Sequence, residues 1–209
     1  MTTSSRGPLV NAAVFVMAGV SAITTIGSYD YYWHLATGRW IAEHHALPST
    51  DPFAVASDRI PWIDGEWLFQ VPLYVLHSLG GDMLVTAARS LGIAALLLFL
   101  FIAVKRYAGI AGAAAIVSLA YLGADHRLGF RPETVATACA VLGVALLLQK
   151  PLSWRSFGLY VSLTVLWINV HPSALLAPVL AAAAFAGGLF KEREPVKSLF
   201  QFSIFNFQF

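Results

Sequence analysis

The sequence predicts an all-α fold: a polytopic transmembrane helical bundle of about six spans, with an external loop bearing amphipathic and re-entrant helices. Three observations predict it. Of the 209 residues, 58% are hydrophobic and 11% charged, and the mean hydropathy is +0.70. A soluble domain carries about 25% charged residues, so these charges are too few to cover a water-facing surface. The apolar residues also fall into runs close to the ~20 residues that a spanning helix needs. Finally, lysines and arginines are biased toward alternate connections, as the positive-inside rule requires.

The predicted spans are 9–27, 83–104, 108–124, 134–149, 156–170 and 173–190. Several are short, so tilt or local thinning of the bilayer is expected. The N-terminus has a signal-peptide pattern, one Arg followed by an apolar run and small residues. Five further spans favour an uncleaved anchor. The segment 67–80, WLFQVPLYVLHSLG, contains Gln70, Pro72 and His77. Its length suits an interfacial or re-entrant helix better than a span.

Charge bias sets the orientation. With a cytoplasmic N-terminus, six spans place Arg6, Lys105, Arg106, Lys150, Arg155, Lys191, Arg193 and Lys197 inside. Arg39, Arg59, Arg127 and Arg131 then lie outside, diluted by acids. A seventh span at 67–80 would move Lys105 and Arg106 outside and scramble the pattern. The expected organisation is one transmembrane domain, 1–190, with an external loop over about 28–82. Residues 191–209 form a cytoplasmic tail or a truncated remnant, since SLFQFSIFNFQF is too short to span. The expected location is the inner (plasma) membrane.

The polar residues are concentrated. Ser28 to Trp67 holds six of the eleven acids, three of the six histidines and four of the six tryptophans. A net charge of +2, with basic residues scattered singly, does not suggest nucleic-acid binding, and no nucleic-acid partner is expected. Cys139 is the only cysteine, which excludes an internal disulfide and a thiolate metal cluster; a small core residue is expected.

The external side collects every histidine and most acids. Asp30 follows the first span and shares a helix face with His34, four residues on; Glu43 is a further candidate for that polar flank. Tyr31, Trp33 and Trp40 suit the headgroup level. Asp30 there can serve as a general base on an acceptor hydroxyl or amine, or simply as a helix cap or solvated acid. Pro48 to Phe53 reads as a turn around Asp51. Asp64 and Glu66 are candidate metal ligands, perhaps with His34; capping of 67–80 by Asp64 is the alternative. Arg89 lies ~10 Å inside the second span, where an arginine must snorkel or face a polar cavity. Arg89, Arg127 and Arg131 suit a lipid phosphate, which guanidinium grips as a fork. Alternatively, Arg127 and Arg131 pair with Asp125 and Glu133. Asn169 and His171 close the fifth span on the same side, as site residues or as structural ones. His44 and His45 are adjacent, point apart and read as solvated loop residues.

DYYWHLATGRWIAEHHALPSTDPF, PWIDGEWLFQ, FRPE and WINVH together resemble a group of bacterial multi-pass membrane proteins. That group is similar in layout to the GT-C glycosyltransferases, including the dolichyl-phosphate-mannose mannosyltransferases and the aminoarabinose transferases of lipid A. The resemblance covers residues 9–190. It implies a catalytic acid just after the first span, which Asp30 matches, with His34 beside it. It implies transfer, on the external face of the cell envelope, of a sugar from a polyprenyl-phosphate donor. Arg89, Arg127, Arg131, Asn169 and His171 would hold the substrate and its lipid phosphate. The cofactor it suggests is a divalent cation, Mg or Mn, as in some members, at Asp64 and Glu66. The partners are membrane lipid, the polyprenyl-linked sugar and a larger membrane complex. The chain departs from the pattern in having Tyr31 where many members carry a second acid, and in having fewer spans. A transporter or flippase, and a non-catalytic truncated subunit, are the alternatives. No internal repeat of the kind transporters show is present.

Overall fold

A computed structural model describes residues 29–55, 61–124, 128–149 and 153–192. The predicted first span and the Phe-rich tail lie outside the described residues, as do Asp125, His126 and Arg127. Every regular element among the described residues is helical.

Helix α1 is Tyr29–His44. Asp30 in its first turn and His44 in its last complement the helix dipole. It stops at His45, whose φ of 51° is left-handed, a region histidine visits more readily than most residues. The His45 N–H closes the end on the Ile41 carbonyl at 2.9 Å. The loop that follows contains the expected turn, with the Phe53 N–H donating to Asp51 Oδ1 at 2.9 Å. Thr50 and Pro61 form an isolated bridge, and the Trp62 N–H donates to the Ser49 carbonyl.

Helix α2 is Trp67–Ala124, broken at Gly80, Gly81 and Gly109. Gly81 (φ 60°, ψ −161°) and Gly109 (φ 67°, ψ 179°) hold backbone conformations that belong essentially to glycine. The result is three pieces, 67–79, 82–108 and 110–124. Ile93, Leu97 and Phe101 share one buried cluster with Ala113, Val117 and Tyr121. On a straight helix Ile93 and Tyr121 would stand ~42 Å apart, so the chain folds back at Gly109 into a hairpin. The segment 67–80, expected as an interfacial or re-entrant helix, is the first helical piece, ended by the glycine pair.

Helix α3 is Pro132–Leu147, with Pro132 at its start and Arg131 extended before it, the conformation that a following proline imposes. Helix α4 is Trp154–Ile168, capped by Ser153, whose hydroxyl accepts the Ser156 N–H at 3.1 Å. A short 3-10 turn, Pro172–Leu175, leads into α5, Leu176–Glu192. Ala136, Cys139, Tyr160, Trp167, Ala174 and Ala177 pack α3, α4 and α5 together, so Cys139 is the core residue expected.

Among the described residues, α2 is the one helix long and apolar enough to cross a membrane; Pro132–Leu147 and Pro172–Gly187 are apolar but shorter. Only 17% of the most apolar window of α2 is buried. Elsewhere along α2, Leu91, Leu119 and Leu122 are exposed, as are Val165, Val179 and Phe185 on α4 and α5. Contiguous apolar surface on this scale marks a membrane or protein contact rather than a water-facing wall.

Candidate functional site

Helix α1 lies on the 67–79 piece, and Gly38 permits it. A Cβ at Gly38 would stand 2.1 Å from the Gln70 carbonyl oxygen, so only glycine allows this approach. The contact buries Thr37 and Gln70 completely and sets His34 beneath the loop that carries Asp64 and Glu66. His34 Nδ1 is 3.7 Å from Glu66 Oε2 and 3.5 Å from Gln70 Nε2. Asp64 Oδ1 accepts the Glu66 N–H at 3.0 Å, which fixes the turn into α2. Asp64 Oδ2 and Gln70 Oε1 are buried without a hydrogen-bond partner.

Tyr31 departs from the expectation of an interfacial anchor. Its ring is fully buried against Leu73, Val85 and Phe130, while its hydroxyl reaches the half-exposed Asp82, donating to Oδ1 at 2.7 Å. Burial, and then that bond, push its pKa well above the ordinary value. Asp82 also lies 3.4 Å from His77 Nε2. It therefore ties α1 and the 67–79 piece together just past the glycine break.

Asp30 and Arg131 are distant in sequence but paired in space, with Arg131 Nη2 3.2 Å from Asp30 Oδ2. Arg131 therefore pairs with Asp30. It also lines a cavity of about 530 Å³. Leu68, Phe69, Pro72, Leu73 and Leu76 form one wall, Val85, Ala88, Arg89, Gly92, Ile93 and Leu96 a second, and Phe130, Thr134, Val135, Ala138, Leu166 and Val170 the rest. The lining is almost wholly apolar, with Arg89 and Arg131 as its cations. The Arg89 guanidinium sits 4.3 Å from the centroid of Phe130, a cation–π contact. A mostly apolar pocket with a few placed polar groups is the usual form of a small-molecule site.

Other predicted residues play structural parts. Asn169 Oδ1 accepts from Trp67 Nε1 at 2.9 Å, and its Nδ2 donates to the Val165 carbonyl. These bonds tie the end of α4 to the start of α2. His171 Nδ1 accepts the Ser173 N–H at 3.0 Å and caps the 3-10 turn. Neither residue lines the cavity, although Val170 between them does. Glu43 pairs with Arg39 at 2.7 Å on the exposed side of α1. His44 stacks on Trp40, and both His44 and His45 are exposed.

Asp64 and Glu66 by themselves do not complete a divalent-cation site. Among the described residues no group of three or more His, Cys, Asp or Glu side chains could hold a metal ion. One Asp64 oxygen is taken by backbone, and burial disfavours the charged form of both acids. Burial, reinforced by the charges of Glu133, Asp64 and Asp30, pushes Glu66 up to about 7. Burial pushes His34 down to about 4, against the opposing pull of Asp30 and Glu133. Gln70 and Glu133 join the site by tertiary packing; the sequence signal for Gln70 was a polar residue within an apolar helix.

These shifts have opposite consequences for stability. His34 titrates at about 4 folded against an ordinary 6.5. The unfolded chain therefore takes up that proton first, and stability falls as pH drops from 6.5 to 4. Glu66 titrates at about 7 folded against an ordinary 4.5. Its contribution is full below 4.5 and is lost as pH rises to 7. Between 4.5 and 6.5 the two slopes oppose. Thermal melts in detergent should be nearly flat there for the native chain, fall on acidification in Glu66→Gln and rise in His34→Gln. Parallel profiles for all three would contradict the assignment.

Comparison with protein-family models, with curated proteins and with solved structures finds no match to this chain.

Proposed function

We propose that this chain is an integral membrane glycosyltransferase of six spans with a cytoplasmic N-terminus, transferring sugar from a polyprenyl-phosphate donor on the external face. One observation carries the reading: Arg131 both lines the apolar cavity and holds Asp30. A lipid phosphate needs a greasy cavity for its chain and a guanidinium for its head. A transferase also needs a base beside that head.

Asp30 accepts the proton of an acceptor hydroxyl while the hydroxyl oxygen bonds to the anomeric carbon of the sugar. The bond from that carbon to the phosphate oxygen breaks, and polyprenyl phosphate leaves with the electron pair. Arg131 and Arg89 meet the charge of the departing phosphate. Pairing with Arg131 holds the Asp30 carboxylate in place in the resting state, and engagement of Arg131 by phosphate releases the carboxylate for the acceptor.

The test is consumption of polyprenyl-phosphate hexoses by the purified chain in nanodiscs. Consumption with transfer to an added sugar acceptor is expected. Tight binding of the donor without consumption would instead favour a non-catalytic subunit of a larger membrane enzyme.

A further inference from the structure

Trp33 and Trp62 have no part in the lipid cavity or in the proton-handling groups, yet they stand at their edge. Trp33 follows Asp30 by one turn and is 37% exposed. Its ring centroid is 5.6 Å from that of Trp62, with the planes 58° apart. Its other neighbour is His34, edge-on at 5.1 Å, and His34 in turn faces Glu66. Trp62 is brought there by the chain closure of its loop, the Thr50–Pro61 bridge and the Trp62 N–H bond to Ser49. Tyr32, beside Trp33, is also exposed. Two indoles at an angle form a ring-faced corner, with the exposed Asp30 one turn before Trp33 on α1 and Glu66 behind His34.

We propose that Trp33 and Trp62 form a stacking platform for a pyranose ring, the acceptor sugar of the reaction. The negative face of an indole attracts the polarised C–H groups on one face of a pyranose. The Asp30 carboxylate, one turn before Trp33, accepts hydrogen bonds from its hydroxyls. An aromatic belt at a membrane interface needs the rings but not that carboxylate. The platform therefore makes the acceptor a carbohydrate and places its hydroxyl next to Asp30. It rests on the transferase reading only for the word acceptor.

Saturation-transfer NMR with a panel of methyl pyranosides tests it on the full chain in nanodiscs, without turnover. At least one pyranoside should receive saturation on its ring C–H protons. Trp33→Ala and Trp62→Ala should each lower that signal by about fivefold, within the range that aromatic contacts supply. Trp62 is a loop residue, so its variant leaves the α1 packing in place should Trp33→Ala fail to fold. Trp154→Ala, at the far end of α4 where Trp154 is 88% exposed, should leave the signal unchanged. No saturation of any pyranoside, or a signal that survives both Trp33→Ala and Trp62→Ala, would overturn the platform. Saturation without donor consumption would support the platform while removing the transferase reading.

Discussion

Asp30→Asn should abolish sugar transfer, by about 10²–10⁴-fold, the usual scale for losing a positioned acid or base, while the chain still inserts and folds. The substitution keeps the size of the side chain and removes its ability to take a proton. Its structural cost is small because the Asp30–Arg131 pair is half exposed, and such pairs are worth roughly 0–1 kcal/mol. Lipid binding should persist, since Arg131 remains on the cavity wall. Rates measured on material of matched melting temperature decide the matter, and unchanged transfer would remove Asp30 from the mechanism.

Gly38→Ala should unseat α1. The added Cβ would meet the Gln70 carbonyl oxygen at 2.1 Å and its carbon at 2.6 Å, both backbone atoms of a helix that cannot step aside. Overpacking of this kind costs about 1–3 kcal/mol and sometimes more, with roughly 2–4 °C of melting temperature per kcal/mol at this size. His34 shares the displaced face, so the His34–Glu66 approach loosens as well. Gly158→Ala on α4, where a Cβ would meet nothing within 4 Å, is the control and should be neutral or slightly stabilising. Equal melting of Gly38→Ala and the native chain would show that α1 does not pack as described.

The helical class and the apolar segments were legible because composition and run length report burial in lipid or protein directly. The sequence groups Asp30 with Arg131 only as residues of loops expected on one side; charge bias sorts loops, but it does not pair side chains. Asn169 bonds to Trp67 and Val165, and His171 Nδ1 bonds to Ser173, contacts that sequence spacing alone cannot reveal. Gly38 carried no local signal because its reason is a backbone on another helix. Tyr31 reads as interfacial by residue type, yet its ring packs in the core while its hydroxyl reaches Asp82, an acceptor beyond the glycine break. The acids of the Asp64–Glu66 turn were visible as chemistry. Their shift toward neutral forms depends on burial under α1, a tertiary fact.

The central claim is that the apolar cavity holds a lipid through a phosphate gripped by Arg131. Equilibrium binding of a polyprenyl monophosphate and of the matching neutral polyprenol, measured side by side in nanodiscs, tests it most directly. A charge-assisted hydrogen bond contributes about 1.5–3 kcal/mol, and about 1.4 kcal/mol is tenfold in affinity. The phosphate should therefore bind at least about tenfold more tightly than the alcohol, and Arg131→Ala should erase most of that preference. Equal affinity of the native chain for the two lipids, or a preference that Arg131→Ala leaves intact, would contradict the account.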